Sequence, residues 1–198
     1  GCVSAARRFQ MICNMKDETM SKWEVRKAVA LSIDREEISK KATNGLQAPA
    51  YGFYPPFLDW AYNADADIGA RDVNKAMELL EQAGYTKDAD GYYLTLTLDV
   101  FSGSTYPDCG KVIQANLKEA GINLQLNVME MAAWAEKISA GNYQLGIMAG
   151  YQGPDPDAMA KRIGTGAVMN YSQYSNEKVD ELLAQARTLT THEDRGAC

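Results

Sequence analysis

The chain has 198 residues, 46% apolar and 23% charged, and a formal net charge of −6. These are ordinary values for a globular domain, and a chain of this length buries roughly 70% of its unfolded surface, enough for one sizeable core without metal or disulfide support. Its basic residues are dispersed, with no run beyond pairs such as Arg7-Arg8 and Lys40-Lys41; no nucleic-acid partner is expected, because phosphate neutralisation needs clustered positive charge.

In chain order, Phe9 to Met15 reads as a short strand. Residues 21–33 place Trp23, Val25, Ala28, Val29 and Ile33 at near-helical spacing, with Ser21 as the N-cap. Asp34 is positioned to cap a second helix, DREEISKKAT, whose acidic first turn suits the helix dipole. Residues 45–71, rich in glycine, proline and aromatics, read as one long irregular segment. Asp72 opens a helix with Val73, Ala76, Met77, Leu80 and Ala83 on one stripe, and Gly84 stands where a C′ residue belongs. Residues 93–101 alternate strictly, with Leu94, Leu96, Leu98 and Val100 on one face. A polar loop, Ser102 to Pro107, leads to a helix of about 108–120 ending at Gly121. A second alternating run follows at 122–128, then a helix at about 131–139 and a strand at about 143–149. Strand, helix, strand at this spacing is a βαβ unit, so the strands should be parallel. After the loop GYQGPDPD, the last helix is expected from Asn176, with Val179, Leu182, Leu183, Ala186 and Leu189 inward and His192 on a solvated face.

The fold class is therefore α/β. Ligands of parallel sheets bind outside the strand carboxyl ends, which singles out the loops Ser102 to Pro107 and Gly150 to Asp157. Metal and cofactor chemistry are not expected. Cys2, Cys13, Cys109 and Cys198 lack Cys-x-x-Cys spacing, and His192 is the sole histidine. The four thiols can pair in three complete ways or not at all; mostly free, buried thiols are the expectation. No apolar run reaches the roughly 18 residues of a membrane span. No apolar stretch with a cleavage site opens the chain. With no GxSxG, P-loop or Ser/His/Asp set, enzymatic chemistry is not expected.

Five stretches, in order, resemble one family. They are VRKAVALSIDREEI (25–38), NGLQAPAYGFYPP (44–56), DVNKAMELLEQAGYTKDADGYYLTLTL (72–98), LKEAGINLQL (117–126), and GPDPDA (153–158) followed by NYSQYSNEKVDELLAQAR (170–187). The chain is similar here to family 5 extracellular solute-binding proteins, the oligopeptide, dipeptide and nickel receptors of ABC importers. The resemblance implies one lobe of a periplasmic-binding-protein type II fold, a mostly parallel or mixed sheet flanked by helices. Residues 1–198 would form a single α/β lobe, the second of two, truncated at both ends. The implied function is capture of peptides or similar small solutes for a membrane permease, in an extracytoplasmic protein that is membrane-anchored at full length. Lipidation at Cys2 is not expected, since it matches an internal position. The isolated piece should be monomeric. The alternative is a small α/β enzyme or regulatory sensor domain on the same fold.

The resemblance also sharpens the site. Tyr151, Gln152 and Gly153 become ligand contacts at a cleft loop, with Ser102, Ser104 and Thr105 leading into a helix N-terminus suited to a carboxylate. Asn170, Tyr171 and Trp134 are further candidates. Each has a structural alternative: helix capping by Ser104 or Thr105, and capping by Asp155 or Asp157. Tyr51, Phe53, Tyr54, Phe57, Trp60 and Tyr62 either line a pocket or pin their loop. Arg26 is expected in a structural ion pair. In peptide-binding members an aspartate four residues before the second proline pairs with the ligand's amino terminus. Gln152 stands there, which implies a ligand without a free amine at that point, or a shift of the role to Asp155.

Overall fold

Three helix starts are set by one local interaction. Asp34 accepts from the Glu37 amide and Asp72 from the Lys75 amide, each at 2.9 Å, and Asn176 accepts from the Val179 amide at 3.2 Å. Each satisfies an amide that the first turn leaves unpaired. In this computed structural model, which describes residues 7–50, 52, 54, 58–66, 68–151 and 155–198, they open α2 (Arg35–Thr43), α3 (Val73–Gln82) and α7 (Glu177–Ala186). The other helices are α1 (Trp23–Ser32), α4 (Tyr106–Glu119), α5 (Met131–Ser139), α6 (Ala160–Ile163) and α8 (His192–Ala197). The end of α3 is closed as expected: Gly84 has φ +88° and donates to the Glu81 carbonyl, while Tyr85 N–H reaches Leu80.

The strands are β1 (Arg7–Cys13), β2 (Leu94–Phe101), β3 (Ile122–Met129) and β4 (Leu145–Tyr151), in the order β1-β4-β2-β3. β2 pairs in parallel with β3, Leu94 opposite Ile122 through Phe101 opposite Met129, and in parallel with β4 at Leu98–Leu145 and Asp99–Gly146. The four strands read from the sequence thus share one sheet, and the β2–α4–β3 crossover is present as expected.

The face bearing Leu96, Leu98, Val100, Ile122 and Leu124 is buried under α4, which presents Val112, Ile113 and Leu117. Close approach of helix to strand is set by Gly110: a Cβ there would lie 2.6 Å from Leu126 Cδ1. α1 packs on α3 and α4, and α2 packs on α4. The opposite face carries α5 against β2.

The chain forms two units, Met11–Tyr51 with Ile68–Met148, and Gly1–Gln10 with Gly52–Asp67 and Ala149–Cys198. The first holds most of the sheet and α1 to α5; the second holds α6 to α8.

Several sequence expectations are corrected. Lys22, not Ser21, occupies the N-cap of α1, and the Ser21 hydroxyl instead donates to the Glu18 carbonyl. Trp23 is 55% exposed, off the inward stripe, while Met20 just before the helix is fully buried. Arg26 donates to the Met20 and Ser21 carbonyls at 2.8 and 2.7 Å, a main-chain anchor in place of the expected ion pair. α4 starts at Tyr106, with Pro107 in its first turn, where a missing amide costs nothing. The stripe of α7 is half-buried, and none of its residues is fully buried. His192 opens a separate helix, capped by Thr191, whose hydroxyl oxygen accepts from the Asp194 amide.

Candidate ligand-binding site

In the larger unit the carboxyl end of β2 passes into Ser102, Gly103, Ser104 and Thr105, then into α4. Gly103 and Ser104 both have positive φ, +109° and +51°, so the chain turns sharply and leaves both exposed. Ser102 is tied down: its amide donates to the Met129 carbonyl at 2.7 Å and its hydroxyl to Glu130 Oε1 at 3.3 Å. Thr105 stands at the N-cap of α4, but its side chain makes no capping hydrogen bond. The arrangement offers the exposed Ser104 hydroxyl and first-turn amides, groups suited to a carboxylate or carbonyl oxygen.

Trp134 lies beneath this loop. It is only 9% exposed and packs edge-on against Phe101 at 5.1 Å, and Phe101 meets Tyr106 at 4.2 Å. The Trp134 indole N–H donates to the Asp99 carbonyl at 3.2 Å. Asp99 has no exposed surface, and its carboxylate accepts from Lys137 Nζ at 2.7 and 2.8 Å and from Asn127 Nδ2 at 2.7 Å. Sequence reasoning missed this cluster. Its one signal was an acid inside an alternating apolar run, placed where the run becomes buried on both faces.

In the smaller unit β4 ends at Tyr151; Gln152 and Gly153 lie outside the described residues, as do Tyr51, Phe53, Phe57 and Cys2. Asp155 accepts from the Asp157 amide at 2.8 Å and so caps the short 3₁₀ turn Pro156–Met159. It also pairs with Arg195 at 2.6 and 3.1 Å. The Arg195 guanidinium, with help from the Asp157 amide, holds the Asp155 carboxyl below its ordinary range. Asp157 pairs with Arg187 at 2.5 Å. These two pairs, with Lys161 and Leu189, line an open cavity of about 500 Å³.

Asn170 is spent on its own loop: Nδ2 donates to the Gly164 and Tyr174 carbonyls at 2.9 and 2.7 Å, and Oδ1 accepts from the Ser172 hydroxyl and the Tyr174 amide. Tyr171 follows it, half-buried. Of the aromatic segment, Tyr54 donates to the Pro156 carbonyl at 3.4 Å, and Trp60 stacks on His192 at 4.3 Å with Arg195 over its ring. Both pin their loop within this unit. Cys13, Cys109 and Cys198 are free thiols. Among the described residues no group of three His, Cys, Asp or Glu is gathered to hold a metal ion. None of their helices is long and apolar enough to cross a membrane.

The chain matches curated binding proteins. It is 28% identical over 193 residues to the oligopeptide-binding protein AppA of Bacillus subtilis, covering 89% of this chain and 35% of that protein. It is 28% identical over 187 residues to the glutathione-binding protein GsiB of Shigella flexneri, covering 87% and 35%. The chain therefore spans about a third of the length of these relatives. Among solved structures, DppA of Helicobacter pylori in complex with the peptide STSA superimposes with TM-score 0.85 at 24% identity, over 98% of this chain and 38% of that one. NikZ of Campylobacter jejuni in complex with Ni(L-His) superimposes with TM-score 0.86 at 20% identity, over 98% and 41%. These likenesses show a shared fold, that of type II periplasmic binding proteins. The model of the family's middle region matches residues 4–171. The chain belongs to the bacterial extracellular solute-binding proteins, family 5.

Proposed function

We propose that this chain is one lobe of a two-lobed receptor that captures peptides or similar small solutes outside the cytoplasm and hands them to the permease of an ABC importer. The observation that carries the reading is the family match, together with polar loops at the carboxyl ends of parallel strands. Relatives named for oligopeptide and glutathione binding supply the solute class. The relatives are binding proteins by name, and the reading is of a binding module without turnover. In the larger unit its contacts are the exposed Ser104 hydroxyl and the amides at the start of α4, with Ser102 and Thr105 shaping the loop and Trp134 behind it. In the smaller unit the proposed contacts are Tyr151, Gln152, Gly153 and Tyr171, with Asn170 holding the loop that carries Tyr171. Anchoring of the complete protein to a membrane belongs to the same proposal.

Binding then follows hinge logic: contacts available only in the closed state favour closure. At the position of Gln152 the ligand meets an uncharged amide, so a free amino terminus gains no ion pair there. Asp155 is an unsuitable substitute, because Arg195 already engages both its oxygens.

The test uses an equimolar tripeptide mixture. The complete protein should capture members with Kd of roughly micromolar, about 8 kcal/mol. Residues 1–198 alone should bind the same peptides only near millimolar, about half that energy. Low-micromolar binding by the 198-residue piece, or hydrolysis of the peptides, would overturn the reading.

A further inference from the structure

Among the described residues, the sheet contains one charged side chain that ordinary packing does not account for. Asp99 is fully buried in β2, where an apolar residue is the usual occupant. Its register partners are Asn127 on β3 and Gly146 on β4. Every group around it is engaged. Lys137 reaches both carboxylate oxygens, Asn127 shares Oδ1, and Trp134 takes the main-chain carbonyl.

Trp134 and Lys137 are three apart on α5, so they lie on one helix face. A single residue therefore grips α5 twice and β3 once. Gly146 completes the seat: a Cβ there would meet Ile138 Cδ1 at 2.9 Å, and without it Ile138 is buried against the sheet.

Lys137 is itself partly exposed, and replacing a pair with a buried carboxylate by well-packed apolar residues is often neutral or stabilising, so net stability is a poor reason for it. Apolar packing does not reproduce direction. Hydrogen bonds from two points on one face of α5, Trp134 and Lys137, set both its rotation and its position along the strand.

That placement reaches the loop above. Trp134 backs Phe101, Phe101 backs Tyr106 at the start of α4, and Glu130, at the N-cap of α5, receives the Ser102 hydroxyl. We propose that Asp99 is a positioning residue: through Lys137 and Trp134 it fixes α5, and through α5 it holds the loop Ser102–Thr105 in its ligand-ready conformation. The last step rests on the reading of that loop as a ligand site.

The experiment replaces Asp99→Leu together with Lys137→Met in the complete protein, with Asp99→Asn alone as a milder second variant should the double variant fail to fold. Three quantities are read: Tm, hydrogen exchange of the amides from Ser102 to Tyr106, and capture of the tripeptide mixture. Tm should move by a few degrees at most, while the loop amides exchange at least ten-fold faster and captured peptides bind at least ten-fold more weakly. Loop exchange that stays unchanged, or that rises only in step with every other amide, would falsify the positioning role. Faster loop exchange with unchanged capture would instead remove the loop from the ligand site and leave the positioning role standing.

Discussion

Asp155 shows how a residue can be half legible. The sequence Asp-Pro-Asp marks a cap, and the cap is present, because the Asp157 amide is two positions away and the geometry is local. Arg195 is forty residues further on, and no spacing rule joins the two. The pairing has a testable titration. A carboxyl held below its ordinary 3.8 stabilises the folded state fully above that value and loses the contribution as pH falls through the lower, folded one. Since half of the Asp155 side chain is exposed, the stability at stake is small, as for most surface pairs. The clean measurement is the titration itself. In Arg195→Gln, carbon-13 NMR of the Asp155 carboxyl should show its midpoint rising toward 3.8. A midpoint that does not move would contradict the pairing. Asp99 lay beyond sequence reasoning for a similar reason: its partner on α5 is 38 residues away, and a lone acid in an apolar run looks like a face exposed to water.

At the scale of elements, the sequence was most informative where a polar side chain closes its own helix. Asp34, Asp72 and Asn176 were readable because a cap and its amide lie three residues apart. Ser21 had the right residue type in nearly the right place, yet the chain spends its hydroxyl on Glu18 and starts the helix at Trp23 without a side-chain cap. The two cases predict different costs. Asp72→Ala should destabilise by about 1 kcal/mol, as loss of a cap does, whereas Ser21→Ala should stay within about 0.5 kcal/mol. Urea unfolding at pH 7 measures both, and equal losses would mean that the capping assignment fails. The strands are legible through their alternation, but burial stops following it at Asp99, because β2 is central and covered on both faces from there to Phe101. The stripe of α7 was read correctly as a stripe but not as half-buried, since periodicity reports which side is apolar and not how completely it is covered.

For the whole molecule, the βαβ spacing gave the parallel sheet and the five family stretches gave the fold; the division into two units was in neither. Nor did the sequence give the strand order β1-β4-β2-β3, because edge strands are placed by partners far away in the chain. That order has a consequence for how the polypeptide is made. β2, α4 and β3 are contiguous, so their contacts close cheaply and early. β1 instead borders β4, and Asn14 reaches Tyr143 across 129 residues. In refolding experiments on the complete protein, Leu117→Ala should therefore slow folding, while Ile12→Ala should mainly speed unfolding. The opposite partition would reverse the order of assembly. On the ribosome, at roughly 5–20 residues per second, β1 waits on the order of ten seconds before its neighbour has been synthesised. During that interval its β4-side edge has no partner, and an unpaired strand edge is a template for the wrong one. Of the four strands, β1 is thus the one that waits longest for its neighbour, and pairing errors during synthesis should concentrate there.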